Sequence, residues 1–277
     1  MRASALALTI LLLTAGPAVA QPALELAVSS VEYTSGDIEI PAVLAAPKPS
    51  GPYPGVLFVH GRGGWNDRLR AEALRLAGRG FVVLAPDYHL GRFITENPVP
   101  HDPATERDVE RGLDYLKALP AVRPGRLGVV GISRGGYHAA LLGVRRPEVG
   151  AVVGYYPHLQ NPNAPEPDQV YRYMPEVEQW RVPALLMVGE REHQLRRELV
   201  VRVAERLTQR GVDVELVVYP GAQRAFDFRR NGRTLGDDLA RADALERTPR
   251  GQRGGLRCVS RKRTVRCQAS RAASGLK

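Results

Sequence analysis

Short apolar runs alternate with amphipathic stretches along most of the chain. Residues 38–44 read as an early strand, and 56–59 as a buried strand running into a Gly-rich turn. Over 67–77 apolar residues recur at helical spacing and stop at Gly78 and Gly80. Strand patterns follow at 81–85, 127–132, 149–155, 184–188 and 212–219; between them lie helical patterns at 103–119, 135–144 and 195–207, with a last helix beginning near Thr234. Buried strands alternating with helices predict an α/β fold, a mostly parallel central sheet flanked by helices on both faces. The Pro- and Asn-rich stretch 160–175 reads as a long loop or small lid.

Two stretches fall outside that pattern. At the start, Arg2, a short apolar run over 6–13 and Ala18-Val19-Ala20 before Gln21 read as a signal peptide over 1–20, which predicts a secreted or periplasmic protein. No later apolar run is long enough to predict a membrane span. At the other end, periodicity fades into Arg, Gly and Ser, so 246–277 is expected to be a basic, disordered tail beyond a domain at 24–245.

The formal charge of +10 changes meaning once that tail is set apart. Ten of the 39 Lys and Arg, but one of the 29 acids, lie in 246–277, and Arg2 carries one further charge. The body then holds 28 basic and 28 acidic residues, and no nucleic-acid partner is expected of it. Both cysteines, Cys258 and Cys267, also lie in the tail, so disulfides do not brace the domain.

The candidate chemistry centres on Gly131-Ile132-Ser133-Arg134-Gly135, placed after a strand and before a helix. A nucleophile on so tight a turn takes strained dihedrals, and side chains two positions to either side would clash; glycines remove them. The turn would lift the Ser133 hydroxyl above the sheet edge and aim the Arg134 amide at a developing oxyanion. His60-Gly61-Arg62-Gly63-Gly64 follows the strand at 56–59, and the Arg62 amide is the candidate second oxyanion donor. His60 reads as a structural histidine bracing that turn.

With Phe58-Val59-His60-Gly61, Ala85-Pro86-Asp87-Tyr88, the elbow through Gly136, Val188-Gly189-Glu190-Arg191-Glu192 and Tyr219-Pro220-Gly221-Ala222 in order, the chain resembles the dienelactone hydrolase family of α/β-hydrolases. The resemblance implies the α/β-hydrolase fold, catalysis by a nucleophile, acid and histidine through an acyl-enzyme, and no cofactor. Four departures follow. Ser133 stands where the founding enzymes use cysteine, which points to small carboxylic esters or lactones as the small-molecule substrate. Glu192 takes the acid's place, one methylene longer. Arg224 occupies the histidine's place in Gln223-Arg224-Ala225-Phe226. The closing helix that the family implies gives way to the basic tail.

The third departure decides most. A guanidinium has a pKa of about 13.8 and does not accept the proton of a serine at neutral pH. His158 and His193 are the histidines placed to stand in, and His138 is expected to pack within its helix. Arg224 is expected to pair with Glu192 in the old triad's place. Three readings stay open: a serine hydrolase with a missing or substituted base; a catalytically impaired homologue that keeps its pocket for ligand binding, where Arg92 and Arg224 would hold a carboxylate; and a tail from Arg247 to Lys277 that binds polyanions such as an anionic membrane surface, against which a solvated tail is the plainer expectation. The oligomeric state is not written in the sequence.

Overall fold

The computed structural model describes residues 23–227, except 50, 96, 99, 163 and 165–170, and the backbone of two later strands. The predicted signal peptide and the helix expected near Thr234 lie outside the described residues.

An N-terminal hairpin, β1 (Leu26–Ser35) and β2 (Ile38–Pro47), is followed by β3 (Gly55–Val59), α1 (Asp67–Ala77), β4 (Val82–Pro86) and α2 (Ala104–Ala118). Next come β5 (Leu127–Ile132), α3 (Arg134–Arg145), β6 (Val149–Tyr155), β7 (Ala184–Gly189), α4 (Gln194–Gln209) and β8 (Val214–Tyr219). The strands form one sheet in the order β1-β2-β4-β3-β5-β6-β7-β8, continued by the two later strands. Strands from β4 to β8 in that order run parallel, and β1 and β2 are antiparallel.

Alternation along each strand sorts the helices. Leu57, Val59, Leu84 and Val129 point to the face covered by α2, α3 and α4, where Leu113, Ala139 and Val203 meet them. Val56, Phe58, Val83 and Ala85 point to the other face, against Leu69, Ala73 and Ala77 of α1. β3 and β4 are buried at every position, which is why their sequences read as continuous apolar runs. Both layers grow outward from β3: the chain goes first to β4 on one side, then to β5 on the other. The loops leaving β3 and β5 therefore diverge, and a crevice opens at their carboxyl ends.

Two expectations need revising. β1 carries no strand signal in its first half, which pairs only with β2 and leaves Ala27, Val28, Ser29 and Ser30 all exposed; only Val31, Tyr33 and Ser35 further along turn inward. The tail, expected to lack order, contains β9 (Leu256–Arg261) and β10 (Thr264–Ala269), which pair antiparallel and reach β8 through Arg266 and Val217. β8 would otherwise leave an open ladder edge, and Val259, Thr264 and Val265 give this stretch the β-branched residues that suit such an edge. In the 160–175 segment, Gln160 bridges to Tyr173 and the Asn161 amide donates to the Arg172 carbonyl at 2.9 Å, so its two ends meet.

Candidate active site

Ser133 sits between β5 and α3 with φ 58° and ψ −117°, in a region that non-glycine residues rarely visit. The flanking glycines are sterically required. A Cβ on Gly131 would lie 2.2 Å from the Gly135 carbonyl oxygen, and one on Gly135 would lie 2.2 Å from that of Val59. The turn is fastened on three sides: the Ser133 amide donates to the Tyr155 carbonyl at 3.0 Å, and its own carbonyl accepts from the amides of Gly136 at 3.0 Å and His158 at 2.7 Å. The β3 loop closes on it from above, where a Cβ on Gly61 would approach that of Ser133 to 2.7 Å.

These loops enclose an open cleft of about 210 Å³, lined by Gly61, Arg62, Ser133, Tyr156 and Arg224 among others. Arg62 follows Gly61 on the cleft wall, and Arg134 is the first residue of α3, with its guanidinium donating to the Pro100 carbonyl at 3.0 Å. Arg134 thus follows the serine directly along the backbone, whereas Arg62 comes to the same cleft on the separate loop after β3.

Arg224 ties the site together. Its Nη1 donates to Glu192 Oε2 at 2.7 Å, and its Nη2 donates to Ser133 Oγ at 2.7 Å. The same Nη2 lies 2.9 Å from His158 Nε2, which is itself 3.5 Å from Ser133 Oγ. The guanidinium carbon stands 4.8 Å from the centre of the Tyr156 ring. Glu192 is buried at the turn after β7, and its other oxygen accepts the His193 amide at 3.0 Å. Carboxylate, guanidinium and hydroxyl follow one another along this series of contacts, but Arg224 offers hydrogens only. It positions Ser133 Oγ and neutralises Glu192 without being able to take a proton.

The other histidines divide clearly. His60 is fully buried, stacked on Tyr88 with centroids 4.0 Å apart, and its Nδ1 contacts the Gly61 carbonyl at 2.8 Å. His138 is buried in α3, and His193 is exposed at the start of α4. His158 alone among them reaches Ser133. Burial first, then the cations Arg224, Arg196, Arg134 and Arg62, hold its imidazole well below its ordinary pKa. Arg92 is not brought to the cleft: it forms an ion pair with buried Asp108, with Nη2 donating to Oδ1 at 2.9 Å. Tyr156 went unnoticed in the sequence. Only its place just past the carboxyl end of a parallel strand hinted at it. It, too, has an unusual backbone, φ 36°, as does Ala225 beside Arg224, φ 60°. Among the described residues no cluster of His, Cys, Asp or Glu is arranged to hold a metal ion, and no helix is long and apolar enough to cross a membrane.

The chain is similar to a Bradyrhizobium protein named "Probable 2-oxo-3-(5-oxofuran-2-ylidene)propanoate lactonase", with 29% identity covering 70% of this chain and 81% of that one. It is 26% identical to a Methylorubrum extorquens protein named "Putative carboxymethylenebutenolidase", covering 82% of each. The solved structure of a "Putative Dienelactone Hydrolase" from Klebsiella pneumoniae superposes with a TM-score of 0.63 at 22% identity, over 80% of this chain and 98% of that one. That likeness makes the fold an α/β-hydrolase fold. The family model described as "Dienelactone hydrolase family" matches residues 40–250, and the chain belongs to the dienelactone hydrolase family.

Proposed function

We propose that the protein is a dienelactone hydrolase-like serine hydrolase of small carboxylic esters or lactones, exported from the cytoplasm and slow because Arg224 stands where a base is needed. One observation carries this reading: Ser133 Oγ lies on a strained strand-to-helix turn facing an open cleft, with Arg224 hydrogen-bonded to it at 2.7 Å. Ser133 attacks the acyl carbon, the Arg62 and Arg134 amides receive the oxyanion, and Glu192 holds Arg224 in line. The names of the relatives, a lactonase and a carboxymethylenebutenolidase, support a lactone or ester as substrate. The signal-peptide pattern over 1–20 supports export, and the mature chain isolated from the cell exterior or periplasm is expected to begin at Gln21.

A second reading is favoured by the same guanidinium. An arginine that donates to the nucleophile and lines the cleft suits an impaired homologue that binds a carboxylate without turning it over. A fluorophosphonate probe separates the two. Time-dependent labelling that disappears in Ser133→Ala is expected; folded protein that resists the probe at any concentration would favour the binding-only reading.

A further inference from the structure

β6 ends at Tyr155, and the turn at Tyr156 swings the chain back over the elbow. His158 is fixed there by its own amide, which donates to the Ser133 carbonyl at 2.7 Å. Its ring is buried, with Nε2 3.5 Å from Ser133 Oγ. That separation is long for a hydrogen bond, as those of catalytic groups often are before substrate arrives. Arg224 settles the tautomer. Its Nη2 is a pure donor 2.9 Å from Nε2, so Nε2 must carry the lone pair and Nδ1 the hydrogen. That is the tautomer a general base acting through Nε2 requires, although the one lone pair on Nε2 faces the Arg224 N–H at 2.9 Å and receives the Ser133 proton only as that hydrogen bond gives way.

Resting on the reading of Ser133 as nucleophile, we propose that His158 Nε2 is the general base of this chain, taking the role that Arg224 cannot fill. In acylation the Oγ–H proton passes to Nε2 while Oγ bonds to the acyl carbon and the carbonyl electron pair moves to oxygen. As the tetrahedral centre collapses, the bond to the leaving oxygen breaks and Nε2–H returns its proton to that oxygen. Water then repeats the sequence on the acyl-serine, giving the acid and free Ser133.

The surroundings explain why such a base is slow. The charges that lower the His158 pKa most are Arg224 from the loop after β8, Arg196 from α4, Arg134 from α3 and Arg62 from the loop after β3, while the Glu192 carboxylate from the turn after β7 lies behind Arg224 as its ion-pair partner. These cations keep the imidazole neutral, and they oppose the imidazolium that forms in the transition state. The direction of the pKa shift implies a kcat/KM that stays level as pH falls through 6.5, with its acid limb lower.

The test is hydrolysis of p-nitrophenyl acetate by the natural chain, Ser133→Ala, His158→Asn, Arg224→His and the Arg224→His/His158→Asn double variant, with pH profiles. His158→Asn is expected to lower the Ser133-dependent kcat/KM at least about tenfold, and to cause a smaller loss when Arg224→His supplies a second imidazole. A level rate in His158→Asn, with Ser133→Ala inactive, overturns the base assignment and leaves the serine reading standing. A rate unchanged in Ser133→Ala overturns both. If His158→Asn fails to fold, an acid limb of the natural chain at or above pH 6.5 overturns the proposal.

Discussion

A single cation, Arg224, bridges Ser133 and Glu192, and its energetics can be separated from its chemistry. Glu192 is 2% exposed at its side chain, whereas Arg224 is 28% exposed, so the pair is desolvated mainly on the carboxylate side. Arg224→Leu leaves a buried carboxylate without its cation; discounting the 3–5 kcal/mol of fully buried pairs for the exposure of Arg224, a loss of about 1–3 kcal/mol is expected in urea unfolding. An unchanged midpoint would mean that Glu192 finds another donor. At this scale the elbow was legible because its glycines answer a steric need written at fixed spacing. Glu192 and Arg224 were legible only through the order of the family's turns. His158 was legible only as one of two histidines that could stand in, and the end of β6 decides between them by bringing it, and not His193, to Ser133.

Between elements, the site depends on how closely three backbones approach. β3, the elbow and the start of α3 meet at Gly135, where a methyl group would press on backbone atoms of Val59 and His60. Gly135→Ala is expected to lower stability by about 3 kcal/mol and to slow probe labelling of Ser133 together with it, since the strain falls on the turn itself. Normal labelling at reduced stability would show that α3 shifts as a unit and spares the elbow. The same close approach explains what the sequence pattern reveals. Doubly buried strands such as β3 and β5 announce themselves, and the structure keeps 127–132 as predicted. β1, exposed on most positions, does not. β9 and β10 are read poorly for a related reason: their Arg-rich composition resembles a solvated tail, and they pair with each other and, through β10, with the edge of β8.

For the whole molecule, the histidines have a second consequence. His60, His89, His101 and His138 cluster with Tyr88 and Tyr137 beside and within α3. Burial pushes His138 down to about 3 and His89 down to about 4. His138 has no hydrogen-bond partner on either ring nitrogen among the described residues. Both pKa values are depressed below the unfolded value of about 6.5, so the unfolded chain binds more protons and stability falls as pH drops below that value. Between pH 6.5 and 4, His138 alone is expected to account for a loss of about 3 kcal/mol. Urea titrations at those two pH values check this: His138→Leu should flatten the dependence, and an undiminished slope would assign acid sensitivity to other groups.

All three scales meet in the proposed reading, in which Ser133 is the nucleophile and Arg224 stands in place of a base beside it. The most direct measurement is the ester-hydrolysis rate of Arg224→His beside the natural chain, at neutral pH and with equal folded fractions. A gain of at least about a hundredfold, lost again in Arg224→His/Ser133→Ala, is expected from restoring a general base. Equal rates in the natural chain and Arg224→His would contradict the account, because Arg224 would then be no obstacle to catalysis.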